Sequence, residues 1–506
     1  LQAAFCPRRP GRKRPGTAPW GPADIAQPDR EAALHQYRLS LSTQNPWACL
    51  GSAIGPAQRV DRRLAHRSNG PEQGEARPGD GFLPVVLGRT GRSIPPKGRI
   101  MGMRPGLAIV LPTWGVVLLA GCARPAGPAF DEEQLRAHDL RVYWQATLPL
   151  EKGESLVACR LLEENVYCLT NQATVFAVHA DAGVVSWSRR LGGRGNLVFE
   201  PTVSFGSGLD EAVVLTSQVG VWVVQRNTGK LIAEVYLPYA PGGAAVASEE
   251  LIWCGSVQGV MHATLFGAGY DHWRVQTGGG ILATPILLPD RVVFCSSDGN
   301  VYCATPITKE LLWTFDTDGA ITASPGHNDD MVFIPSHDRH LYCLDLDTGE
   351  LIWQSGSPEP LARRPQVTDD TVYLPIGQSG LAALDLATGS QRWKLENGRD
   401  FVAQHRDTAH VVDITGDLVA VNNQSGEEKW RIFPRELDLV AANEKDSAMY
   451  LASYGGRVTC LRRVDVPYLR RGDIEAVMRS GRRSGEEAGA QGPGSADRSA
   501  SARPGD

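Results

Sequence analysis

The sequence predicts an all-β protein: an eight-bladed β-propeller of four-stranded antiparallel blades, closed by its own N-terminal strand. Three observations predict it. Tryptophans fall at 273, 313, 353 and 393, a constant step of 40 residues. Within each step, β-branched and aromatic runs of strand length alternate with turns bearing Asp and Gly. The hairpins built from those runs outnumber the tryptophan-bearing strands that follow them by one, and a strand of the missing kind stands ahead of the first repeat. A period near 40 with several short strands per unit is the mark of radial stacking, because such strands cannot bury a face alone.

The grammar of one unit is clearest from Val292. Val292-Val293-Phe294-Cys295 is a strand by composition. Ser297-Asp298-Gly299-Asn300 is a hairpin turn, since glycine takes the positive φ such turns need. The next strand is Val301–Ala304 here and Leu341–Leu344 one unit later. A second turn, Asp345 to Gly349, leads into the strand that ends at Trp353. Prolines at 201, 241, 285, 325 and 365 open the units. Hairpins recur near Val166, Val213, Leu251, Val292, Val332, Val372, Val411 and Met449, which counts eight blades. Closing tryptophans stand at 187, 273, 313, 353, 393 and 430, with a degenerate position near Val235, which counts seven. The eighth hairpin has no strand after it; Val142–Ala146, with Trp144, supplies one from the front and fastens the ring.

The flanks read differently. Residues 1–100 hold no methionine and are rich in Arg and Pro. They are expected to be sequence upstream of a start at Met101 or Met103, with a disordered basic arm as the alternative. Residues 101–121 have the plan of a signal peptide: Arg104, then an apolar run from Leu107 to Ala120 that is short for a membrane span. It ends in Leu119-Ala120-Gly121-Cys122, which resembles the lipobox of bacterial lipoproteins. That resemblance implies lipidation of Cys122, with several acyl chains giving stable anchoring. Ala123 and Arg124 after the cysteine, in place of Asp, point to the outer membrane. Residues 122–140 are then a linker with a short helix from Asp131 to His138, 141–465 the propeller, and 466–506 a disordered tail rich in Gly, Ser and Ala. The net charge of −5 gives no reason to expect nucleic-acid binding.

The segments from Cys343 to Trp353 (CLDLDTGELIW) and from Ala383 to Trp393 (ALDLATGSQRW) resemble the quinoprotein-type (PQQ-like) propeller repeat, Ala-x-Asp-x-x-Thr-Gly-x-x-x-Trp. Gln424–Trp430 and Asn227–Leu231 are weaker copies. The resemblance implies structural roles. Asp345, Thr348 and Gly349, like Asp385, Thr388 and Gly389, hold a bend, and Trp144, Trp273, Trp313, Trp353 and Trp393 dock on the neighbouring blade's turn. Within that superfamily the chain is most similar to the BamB-like lipoproteins of the outer-membrane β-barrel assembly machinery, in blade number, lipidation and mature length. This implies a monomeric, non-enzymatic scaffold facing the periplasm from the outer membrane, with envelope proteins, above all the barrel-inserting component, as partners. A propeller with another envelope partner, or a sensor module, is the rival reading.

The quinone-dependent dehydrogenases are the enzymatic branch. They need calcium held by carboxylate and amide oxygens and a carboxylate base. Many also carry a vicinal disulfide, and this sequence has no Cys-Cys pair. Asp298, Asp345 and Asp385 lie in turn motifs, where carboxylates serve the backbone. No cofactor is therefore expected. No metal is expected either: His337 and His340 sit in one hairpin turn without an evident third ligand. Cys159, Cys168, Cys254, Cys295, Cys303, Cys343 and Cys460 read mainly as small core residues, their odd number excluding a complete disulfide framework; one bridge, Cys159 to Cys168, is allowed in an oxidising compartment. In the assembly lipoproteins a Leu- and Arg-bearing loop meets the barrel-inserting component. Leu361, Arg363 and Arg364 resemble it loosely and are the candidate partner contacts, with Arg190–Gly195 a weaker second.

Overall fold

The computed structural model describes residues 129–193, 195–204, 211–266, 269–475 and 477. The expectations for residues 1–121, for Cys122 and for the tail past 477 lie outside them.

The described chain folds into eight four-stranded antiparallel sheets. Seven are sequential hairpin stacks: blade 1 at 156–190, then 202–236, 246–276, 286–316, 326–356, 366–395 and 398–432. The eighth joins 439–463 to β1 (Leu140–Thr147), which is its outermost strand. The second and third strands of a blade are covered by neighbours on both sides and are mostly apolar: Val292–Cys295 is buried at every position. Outermost strands alternate; in Leu351–Gly356 only Trp353 is buried.

Closure is visible in the core. Eight apolar clusters each straddle two consecutive blades, and one of them packs Tyr450, Val458 and Cys460 of blade 8 against Val166, Phe176 and Val178 of blade 1. β1 pairs antiparallel with the last strand from Leu140↔Arg463 to Thr147↔Arg457, with a bulge between Val142 and Trp144. The bulge frees Tyr143, whose hydroxyl donates to the Pro467 carbonyl at 2.9 Å and whose ring stacks on Tyr468. Residues expected to begin the tail thus lie across β1.

Residues 129–139, expected as a linker, are built into the ring. Helix α1 (Glu132–Ala137) is capped by Asp131, which accepts from the Glu133 amide. Phe130 and Leu135 are buried among Val402, Leu418 and Ile432 of blade 7 and Met449 and Leu451 of blade 8. A lone helix of this length would not persist in water; this packing is what holds it.

The tryptophans clasp successive blades. The indole N–H of Trp144 donates to Ala180 O, Trp187 to Arg226 O, Trp273 to Pro306 O, Trp313 to Leu346 O, Trp353 to Leu386 O and Trp393 to Asn423 O, at 2.7–3.1 Å. Each acceptor lies in the turn between the third and fourth strands of the next blade. Asp345 shapes one such turn by accepting from the amides of Asp347 and Thr348 and from the Thr348 hydroxyl. Asp385 does the same with Thr388. Trp430 faces the place where that turn would have to span the chain ends, and His138 stacks on it instead, 4.8 Å between centroids.

A titratable group is sealed between blades 7 and 8. His410 is 6% exposed and its Nδ1 faces the Ala403 carbonyl at 3.3 Å, so the neutral ring carries its proton there. Burial lowers its pKa to about 4. Below pH 6.5 the unfolded chain binds a proton that the folded chain refuses until about pH 4, so stability falls with pH across that window. The expected loss by pH 4 is about 3 kcal/mol. Urea unfolding at pH 7 and pH 4.5 measures it, and His410→Gln should flatten the dependence.

Candidate functional site

Because strands alternate in direction, the inter-blade loops and the loops between second and third strands emerge on one face. They hydrogen-bond there: Ser297 N to Gly280 O, His337 N to Ala320 O, Ile414 N to Asn397 O. All eight blades line a central channel of about 820 Å³.

Most charges in the channel are paired. Arg160 pairs with Glu200, Lys445 with Glu163 at 3.1 Å, and Arg364 with Glu444 at 3.7 Å. Glu444 also accepts from the Val367 amide at 3.1 Å. Burial, with Arg160 nearby, lowers the Arg364 pKa, and burial likewise lowers that of His327.

A polar chain runs along the rim over blades 6 to 8. Arg363 pairs with Asp400 and donates to the Arg399 carbonyl at 3.0 Å. Arg399 reaches Asp400 at 2.7 Å and the Asp438 carbonyl at 3.1 Å, and the Asp438 carboxylate accepts from Tyr454 N at 2.8 Å. On the same face Ile414, Phe433 and Tyr454 are 65%, 61% and 53% exposed. Large apolar side chains held out of the core beside an arginine are the composition of an interaction surface. Single apolar residues in polar loops have no period, so sequence reasoning does not single out these three.

A family model described as outer membrane protein assembly factor BamB matches residues 255–424. Over those residues the repeats are similar to PQQ-like propeller repeats. Among solved structures the chain is similar to BamB from Moraxella catarrhalis, at 16% identity and a TM-score of 0.51, over 64% of this chain and 99% of that one. It is also similar to the computationally designed Ika8 protein, at 17% identity and a TM-score of 0.48, over 62% of this chain and 98% of that one. At such identities the likeness is one of fold. No curated protein matches.

PQQ-like repeats raise the question of a quinone, and the channel lining does not fit one. Among the described residues that line the channel there is no tryptophan to stack on a planar ring. Among the described residues no three His, Cys, Asp or Glu groups converge as metal ligands. His337 and His340 turn to separate partners, Thr322 Oγ1 at 2.8 Å and Asp338 at 3.5 Å. One constellation has the outline of a nucleophile, base and acid. Cys254 stands opposite His262, and His262 Nδ1 lies 2.8 Å from Asp271. Cys254 is fully buried, however, and burial pushes its thiol up to about 12, so it is neither ionised nor reachable.

Of the candidate partner contacts, one is corrected. Leu361 is fully buried in the core between blades 5 and 6, and its amide donates to Ser336 O. It cannot touch a partner. Arg363 is half exposed at the rim, and Arg364 lines the channel. Among the Arg190–Gly195 residues, Leu191 is buried and Arg190 pairs with Glu151 at 3.2 Å.

Proposed function

We propose that this protein is a non-enzymatic interaction scaffold of outer-membrane protein assembly, lipid-anchored through Cys122 and facing the periplasm, with a barrel-inserting envelope protein as its partner. The match of residues 255–424 to the BamB family model carries the reading. The partner surface is the face bearing the inter-blade loops, over blades 6 to 8. Two features support that choice. The repeat places Ala283-Thr284 and Ala323-Ser324 where blade 6 has Arg363-Arg364, so only this one of the three blades puts two guanidinium groups there. The exposed Ile414, Phe433 and Tyr454 lie on the same face, as Leu197, Tyr236 and Val257 do over blades 1 to 3, so the arginine pair is the feature that decides.

The test is a crosslinking pull-down of the tagged full chain from solubilised envelopes, read by mass spectrometry. An outer-membrane barrel protein with periplasmic domains is expected. Arg363→Ala combined with Phe433→Ala should cut its recovery about tenfold or more, as loss of hot-spot residues does. Undiminished recovery sinks the assigned surface; recovery of other envelope proteins alone sinks the assembly role.

A further inference from the structure

Blade 1 presents two thiols to each other at the channel wall. β2 (Leu156–Leu162) and β3 (Asn165–Thr170) place Cys159 directly opposite Cys168, with the sulfurs 3.4 Å apart. Opposed residues of an antiparallel pair have Cα atoms about 4.5–5.5 Å apart, inside the range a disulfide spans. Side-chain rotation alone therefore closes the bond. Cys159 is partly exposed and lines the channel, whereas Cys168 is fully buried at the seam with blade 8. The other described cysteines, Cys254, Cys295, Cys303, Cys343 and Cys460, are all buried.

We propose that Cys159 and Cys168 are an oxidisable dithiol whose reactant is a low-molecular-weight disulfide entering the channel. The Cys159 thiolate attacks one sulfur of the disulfide, and the first leaving thiolate takes up a proton. Cys168 then attacks the Cys159 sulfur and expels the second thiolate, which takes up the proton that Cys168 gives up. Two protein thiols are oxidised by two electrons, one intramolecular disulfide forms, and the reactant is reduced to two thiols. The order follows from access and from ionisation. The hydrogen bond with Cys159 and burial hold the Cys168 thiol well above the usual range, so Cys168 resolves rather than initiates.

The probe is oxidised glutathione, applied to the folded full chain and followed by alkylation and peptide mapping. In the unaltered protein, peptides bearing Cys159 and Cys168 should be joined with the loss of two hydrogens. Cys168→Ala should trap one glutathione on Cys159, and Cys159→Ala should leave Cys168 unmodified. Both thiols remaining open to alkylation after treatment overturns the proposal, as does glutathione on Cys168 in Cys159→Ala. Should either variant fail to fold, the mapping of the unaltered protein decides alone.

Discussion

Removing residues 140–148 is expected to abolish the folded ring. β1 pairs with the last strand from Leu140 to Thr147, so its loss leaves blade 8 with three strands and an open edge. Leu140, Tyr143 and Leu148 are buried, and Trp144 clasps the Ala180 carbonyl of blade 1. At about 1.5–3 kcal/mol per large buried side chain, the three buried residues alone contribute roughly 5–9 kcal/mol. That is comparable to the whole net stability of a typical domain, about 5–15 kcal/mol. The variant should lose its cooperative thermal transition by circular dichroism and elute early on size exclusion. A circular permutant carrying 140–148 after Arg463 through an Asp-Thr-Gly turn should regain both. A deletion variant that melts at the unaltered temperature would mean that the ring does not depend on this strand.

The step of 40 made the blades legible, and the surplus hairpin made the closing strand legible, because both are counts that need no side-chain detail. The same step could have corrected Leu361. Ile281, Ile321 and Leu361 stand one period apart, all fully buried, and all donate their amides to the serine of the preceding hairpin loop, Ser256, Ser296 and Ser336. Read as one residue in a basic loop, Leu361 resembles a contact; read in register, it is core. Helix α1 was legible as a helix, but its docking was not, since Phe130 and Leu135 find their partners in blades 7 and 8, hundreds of residues away. The rim escaped for a further reason. Arg363, Arg399, Asp400 and Asp438 meet only because the ring brings separate blades to one edge.

The clasp between blades 5 and 6 is expected to be among the sites most sensitive to point substitution. Trp353→Ala removes a side chain that is 8% exposed and the donor to Leu386 O, at an expected cost of about 3–5 kcal/mol. Gly389 lies beneath that ring. It has φ +67, and a Cβ there would stand 2.3 Å from Trp353 Cε3. Gly389→Ala therefore suffers two penalties, left-handed strain of about 1–2 kcal/mol and a steric clash that must move the indole. Gly269 separates them. It holds the equivalent turn position at φ +68, but Ala233 stands at the tryptophan position in the outermost strand of blade 2, and a Cβ at Gly269 meets nothing within 4 Å. Gly269→Ala should cost only the strain, and Gly389→Ala about 1–3 kcal/mol more. Urea unfolding of the two variants measures the difference. Equal losses would show that the turn alone, and not its seat for the tryptophan, requires glycine.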